Sequence, residues 1–253
     1  MLRAVSLATA LCACGVGSAQ ATLLNWQLDP DGAGSAGRVT VNEYLDIGNS
    51  VSYVSTTAPS GGGFTFTENG AALITGHDGT SSFGSFSGQL TSTFSISGNG
   101  SLGGTINYTG GTISIYSSPT AGQYGTTAGT YGADLGTLIG TFTVTGGNGL
   151  IDITGQPNGL QTVNARATAL TPGYWFSPGG QDLSAVANFV LGLATTNASR
   201  LLNPSATAVS ELGPTVFTNC LPGQTTGGCT GVGSFFISNN GQFRLAEIPE
   251  PST

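Results

Sequence analysis

Six carboxylates stand where a pair of them could work as acid and base: Glu43, Asp46, Glu68, Asp78, Asp134 and Asp152. Cleaving a glycosidic bond takes two opposed carboxyls about 5–10 Å apart, one of them raised in pKa. The sequence does not bring any two of the six together, so a glycosidase or lyase stays an alternative and not the first reading. The chain has one imidazole, His77, in Gly76-His77-Asp78-Gly79, and no Gly-x-Ser-x-Gly elbow. A serine nucleophile therefore lacks its usual setting, and His77 reads as a polar residue of a glycine-flanked turn. Asp29-Pro30-Asp31-Gly32 offers two hard oxygen donors in one turn. That chemistry suits calcium, although Ala33 breaks the EF-hand pattern and a solvated turn reads as well. Tyr174-Trp175-Phe176, between Pro172-Gly173 and Pro178-Gly179-Gly180, is the densest aromatic cluster. Tyr174 and Trp175 could stack on sugar rings, or they could be core residues at the start of a strand. Two Gly-x-Gly-x-x-Gly matches, Gly32 to Gly37 and Gly98 to Gly103, are each followed by strand-like sequence instead of a helix. In a chain with 42 glycines that is chance recurrence, not a dinucleotide loop.

Composition narrows the chemistry further. All five basic residues are Arg and the net charge is -7. Nucleic-acid binding needs clustered Lys and Arg, so it is excluded. Schiff-base and phosphate-loop lysines are excluded with it. Charged residues make up 7% of the chain, against about 25% in an ordinary soluble domain. Hydroxyls and amides must therefore supply most of the polar surface.

The elements that position these groups read as strands. Apolar residues alternate with Thr and Ser in Leu90–Ile96, Ile106–Tyr108, Ile113–Ile115, Phe142–Val144 and Ile151–Ile153. Period-two alternation marks strands with one dry and one wet face. Gly98-Asn99-Gly100, Gly110-Gly111, Gly146-Gly147-Asn148-Gly149 and Asn239-Asn240-Gly241 read as the turns between them. About a dozen short strands result. They include Leu23–Leu28, Val39–Ile47, Phe64–Ile74, Phe86–Ser97, Leu138–Thr145, Val163–Leu170, Phe189–Thr196, Gly233–Ser238 and Gln242–Glu247. Strands at this spacing predict an all-β fold, an antiparallel jelly-roll-like sandwich with at most one or two short helices. A β-solenoid is the alternative, without a fixed repeat to support it. Asp182 is placed to cap a short helix over Leu183–Ala187.

Met1 to Ala21 has the parts of a secretory signal peptide: Arg3, an apolar run from Ala4 to Val16, and Ala19-Gln20-Ala21 as the cleavage site. Leu11-Cys12-Ala13-Cys14 offers a second processing reading as a lipoprotein box. Beyond the leader two cysteines remain, Cys220 and Cys229, across an eight-residue turn-rich loop. In an exported protein this pair reads as a disulfide, with a metal pair as the weaker competitor. Residues 22–247 show no internal composition break and read as one domain. No stretch in them has the roughly 20 apolar residues that a spanning helix needs.

The chain ends Glu247-Ile248-Pro249-Glu250-Pro251-Ser252-Thr253. Pro249-Glu250-Pro251 resembles the recognition segment of PEP-CTERM proteins, exported bacterial proteins processed by an exosortase. Two prolines around one acid favour an extended, accessible chain that a processing enzyme can read. In that family a membrane-spanning helix and an Arg-rich tail follow the segment. This chain stops two residues after Pro251, so residues 248–253 contain the motif without the anchor. Gly61-Gly62-Gly63-Phe64-Thr65-Phe66-Thr67-Glu68-Asn69-Gly70 is similar to the flocculation-associated PEP-CTERM proteins of floc-forming bacteria. So is the stretch from Tyr131-Gly132-Ala133-Asp134-Leu135-Gly136 through Gly173 to Leu183. The resemblance implies a non-enzymatic protein of the cell surface or extracellular matrix that works with exopolysaccharide in flocs or biofilm. It brings no catalytic residue with it. A glycan-active enzyme and a self-assembling surface protein without glycan affinity remain the alternatives.

Overall fold

The computed structural model describes residues 21–34, 37–57, 60–101, 103–150, 159–185, 189–213 and 234–247. The leader up to Gln20, Asp152, the Cys220–Cys229 pair and the Pro249-Glu250-Pro251 motif lie outside the described residues.

Eight long antiparallel strands form the body: β4 (Leu45–Thr56), β5 (Gly63–His77), β6 (Gln89–Ser101), β7 (Thr105–Ser118), β8 (Thr137–Leu150), β9 (Gly159–Leu170), β11 (Phe189–Leu201) and β12 (Phe235–Glu247). Each pairs with the next in that order, and β12 then pairs back onto β4, from Phe235 opposite Val54 to Phe243 opposite Leu45. The sheet is therefore a closed up-and-down barrel. This corrects the expected jelly-roll sandwich and its solenoid alternative, while the all-β antiparallel class stands. Closure leaves the long strands without free edges. The β1 pair (Ala21–Thr22) adds to the far side of β12. Among the described residues one α-helix, α1 (Ala206–Leu212), and one 3-10 turn, Leu183–Ala185, complete the set. Ser205 caps α1 by accepting the Ala208 N–H at 3.1 Å.

The correction has a physical cause. The glycine clusters read as turns are strand interior: Gly98–Gly100 belongs to β6, Gly110–Gly111 to β7, Gly146–Gly149 to β8 and Gly241 to β12. Several mark register shifts, between Ser97 and Gly98, Val144 and Gly146, and Asn239 and Gly241. Such irregularities bend a strand and help a sheet to curl. Others make room inside. A Cβ on Gly70 would run into the Phe94 ring, and one on Gly98 into the Phe66 ring. The glycines thus lengthen and curve the strands instead of ending them. A dozen short strands become eight strands of 12 to 15 residues.

The alternation itself reads as expected. Leu90, Ile96, Ile106, Tyr108, Ile113, Ile115, Phe142 and Val144 are buried in one core with Val163, Ala165, Leu191 and Phe243. An eight-stranded barrel is just narrow enough for side chains to fill it. Most Thr and Asn of the same strands are on the outer wall, while Thr91 and Thr195 are fully buried. This is the reverse of a lipid-facing barrel, whose apolar side chains point outward.

A small sheet closes one end of the barrel. Its order is β10 (Trp175–Phe176), β2 (Trp26–Leu28), β3 (Val39–Val41). Trp26 and Trp175 are both fully buried and stack with ring centroids 5.5 Å apart. The Trp175 indole N–H donates to the Ile139 carbonyl at 2.8 Å, and its ring meets Phe142 edge-on at 6.1 Å. Beside it the Arg38 guanidinium lies 3.3 Å over the Phe176 ring. At the closed end Asp182 accepts from the Ser184 amide at 2.8 Å and from the Gly173 amide at 2.7 Å. It caps the Leu183–Ala185 turn, as the sequence leads one to expect; residues 186–187 lie outside the described set.

Candidate functional site

Of the five described carboxylates, Glu43, Asp46 and Asp78 share one corner through main-chain hydrogen bonds, and Asp134 and Glu68 stand elsewhere. Asp46 accepts the Gly79 amide at 2.8 Å, and Asp134 takes the Thr130 amide and hydroxyl at 2.7 and 2.8 Å. Glu43 lies 3.9 Å from Arg244 on the surface. Glu68 points into the barrel, 2% exposed, and Asp152 lies outside the described residues. Asp78 ties a turn. Its carboxylate accepts the amides of Asn42, Glu43 and Tyr44 at 2.6, 2.8 and 3.2 Å, and lies 3.1 Å from His77 Nδ1. Burial opposes its charge, but those donors outweigh burial and hold its pKa below the ordinary value. A depressed carboxylate adds stability above its unfolded pKa and loses it as pH falls through the folded one. Asp78→Asn is therefore expected to cost about 1–2 kcal/mol at pH 7. The gap from the parent should narrow as pH falls through the lowered folded-state pKa of Asp78, which urea melts across pH would show.

Asp29 and Asp31 do come together. Asp29 Oδ2 accepts the Gly34 amide at 2.9 Å and Asp31 Oδ1 the Ala33 amide at 2.9 Å. Burial and then the neighbouring Asp31 raise Asp29, while the Ala33 amide and Asp29 lower Asp31. Among the described residues no third His, Cys, Asp or Glu joins them. Tyr174 lies against this turn: its carbonyl accepts the Asp29 amide at 2.8 Å, and its ring covers Gly32. Tyr174 is half-buried and reachable from solvent. Trp175 is not, so the expected sugar contact at Trp175 is corrected: it is core, stacked on Trp26 where β10 pairs with β2.

A wide concavity lies at the capped rim, between the β5–β6 connection (78–88) and the β7–β8 connection (119–136). It encloses about 510 Å³. Its floor holds Leu73, Ile74 and Leu90, and its sides hold Phe83, Phe86 and Tyr124 with Thr75, Ser81 and Ser82. Phe86 and Tyr124 keep part of their rings accessible, and Ser81 and Ser82 are exposed.

Buried barrel residues fix both connections. Gln89 is 5% exposed. Its carbonyl accepts the Gln123 and Tyr124 amides at 2.9 and 3.2 Å, and its amide donates to the Gly132 carbonyl at 3.2 Å. The Thr91 hydroxyl donates to the Ala133 carbonyl at 2.5 Å. Tyr124 donates its hydroxyl to the Ala71 carbonyl at 3.1 Å and meets Tyr131 edge-on at 5.2 Å. Burial raises the Tyr124 phenol well above its usual value, so it stays a neutral donor. Phe83 is held under the other wall, its ring 5.9 Å from that of His77.

A groove with half-exposed rings, an apolar floor and hydroxyls on the rim can take a flat ring that is apolar on one face and hydroxylated at its edge. Among the described residues no carboxylate lines it. Sequence reasoning missed it because its walls come from connections some 40 residues apart; the signal present was Phe83 and Phe86 among serines and glycines.

A second polar surface runs along the outer wall toward the other end. Thr65, Asn99, Asn107, Asn148 and Thr162 lie in register on five adjacent strands. Asn107 donates to Asn99 at 3.4 Å. Ser95, Thr112, Thr143 and Arg166 form another such row. Adjacent strands are about 4.8 Å apart, so these rows offer closely spaced, nearly uncharged hydrogen-bonding groups. No protein-family model, curated protein or solved structure matches this chain.

Proposed function

We propose that this protein is an exported component of the cell surface or extracellular matrix that binds neutral polysaccharide and promotes flocculation or biofilm formation without cleaving it. The groove carries the reading: Phe86 and Tyr124 stand beside Ser81, Ser82 and Thr75 over an apolar floor, with no acid in the lining. The rows of Thr, Ser and Asn on the barrel wall support it, since many weak contacts on many copies add up through multivalency. The leader-like N-terminus and the Pro249-Glu250-Pro251 segment favour export and exosortase processing, with membrane anchoring where a spanning segment follows. The Asp29–Asp31 turn is where calcium would contribute, by bridging two carboxylates that repel each other.

A strain lacking the gene tests the role. Loss of settling flocs, restored by the intact gene, is the expected result. Normal flocculation in the deletion strain would remove the role. Pull-down on the native exopolysaccharide with and without EDTA reads the calcium contribution separately.

A further inference from the structure

The turn after β2 holds an oxygen atom that the fold leaves unsatisfied. Asp29 is fully buried; its Oδ2 accepts the Gly34 amide, but its Oδ1 has no hydrogen-bond partner. A buried carboxylate oxygen without a donor or a metal ion is costly. The surroundings of Oδ1 show what it faces. A Cβ built on Gly37 would lie 3.5 Å from Asp29 Oδ1, and 3.1 and 3.4 Å from Asp31 Oδ1 and Oδ2. Three carboxylate oxygens therefore converge on the space over a residue that has no side chain to fill it.

The chain supplies no cation to balance them. Among the described residues neither carboxyl pairs with an arginine or with His77. A hard divalent cation answers both needs, charge and oxygen coordination. Calcium suits the turn better than magnesium, because it tolerates irregular geometry and completes its six to eight ligands with carbonyls and water. The same turn joins the cap to the barrel. The Asp29 amide donates to the Tyr174 carbonyl, next to β10, at 2.8 Å. The Ser117 hydroxyl, near the end of β7, donates to the Pro30 carbonyl.

We propose that Asp29 and Asp31 form a structural calcium site over Gly37, and that the ion latches the small capping sheet to the barrel. This rests on the calcium part of the reading above and deepens it: the ion acts on the fold, with or without polysaccharide.

Thermal unfolding of the purified protein without polysaccharide tests this, in EDTA, calcium chloride or magnesium chloride at matched ionic strength. Once calcium exceeds its Kd, each further ten-fold should raise the melting point by about 3–5 °C. Magnesium should raise it clearly less. Gly37→Ala removes no ligand but puts a methyl group among the three oxygens. Gly37 does not occupy the left-handed region, and Asp31 is exposed and can give way. The variant's melting point in EDTA should therefore stay near the parent's while the calcium shift is lost. Asp31→Asn should lose the shift too, and Glu43→Gln, at an exposed acid elsewhere, should keep it. Should Gly37→Ala fail to fold, Asp31→Asn decides. A calcium response no larger than that to magnesium overturns the proposal. So does a response that survives in a folded Gly37→Ala or Asp31→Asn, or one that vanishes in Glu43→Gln. Such a failure leaves glycan binding standing, whereas lost glycan binding with the calcium shift intact sinks the groove alone.

Discussion

Trp175→Ala is expected to destabilise the protein by about 3–5 kcal/mol. The substitution removes a fully buried ring that stacks on Trp26 and meets Phe142 edge-on. It also removes one of two donors to the Ile139 carbonyl, which keeps the Thr171 amide at 3.0 Å. The Trp26 indole nitrogen has no hydrogen-bond partner, so its ring is placed by packing and suffers directly when its neighbour goes. For a domain of this size each kcal/mol moves the melting point by about 2–4 °C, so a fall of about 10 °C or more is expected. Trp175→Phe keeps a ring but loses the hydrogen bond, and should fall between. Thermal unfolding followed by near-ultraviolet circular dichroism reads both. A residue that served only to contact sugar would give the opposite outcome: unchanged melting and lost binding.

The second large effect concerns the groove. Phe86→Ala removes a half-exposed ring from one wall, and stacking of that kind contributes about 0.5–1.5 kcal/mol beyond the area buried. At one site this is up to a ten-fold loss of affinity. On a polymer engaged by many copies the losses multiply, and retention should fall by about a hundred-fold or more. Ala121→Trp acts from the other wall. Ala121 is exposed, so the larger side chain fits without disturbing the core, but it projects where a sugar would lie. Neither substitution touches Gln89 or Thr91, the residues that clamp the β7–β8 connection. Melting points close to the parent's are therefore expected alongside lost binding.

Some of this was legible in the residues and some was not, for identifiable reasons. The inward set of β6, β7 and β8 follows from alternation alone, because burial on one face of a strand imposes period two. Closure into a barrel does not follow. It depends on whether Gly98, Gly111 or Gly147 ends a strand or bends it, and glycine permits both. Packing decides: Phe66 lies over Gly98, and Gly111 takes φ +132° within the continuous strand β7. The pair Asp29 and Asp31 was visible because two residues in one turn must lie close. The contact of Tyr174 with that turn was not, since it needs β10 to pair with β2, Trp175 opposite Leu28, over more than half the chain. Trp175 shows the limit of reading an aromatic cluster: Tyr174 sits in the turn before β10 and reaches solvent, while Trp175 and Phe176 in β10 are both buried. Glu68 was visible only as one acid among several. Its burial is set by an inward position between Phe66 and Gly70, and three-dimensional closure is needed to make that position dry.

The central claim is that the protein holds polysaccharide and leaves it intact. Co-sedimentation of the purified protein with the producer's purified exopolysaccharide, with reducing ends assayed in the same tubes, tests it most directly. Saturable binding by the parent, strong loss in Phe86→Ala and Ala121→Trp, and a constant count of reducing ends over hours are the expected result. Release of new reducing ends by the parent, no binding by the parent, or binding by the two folded variants equal to the parent's would contradict it.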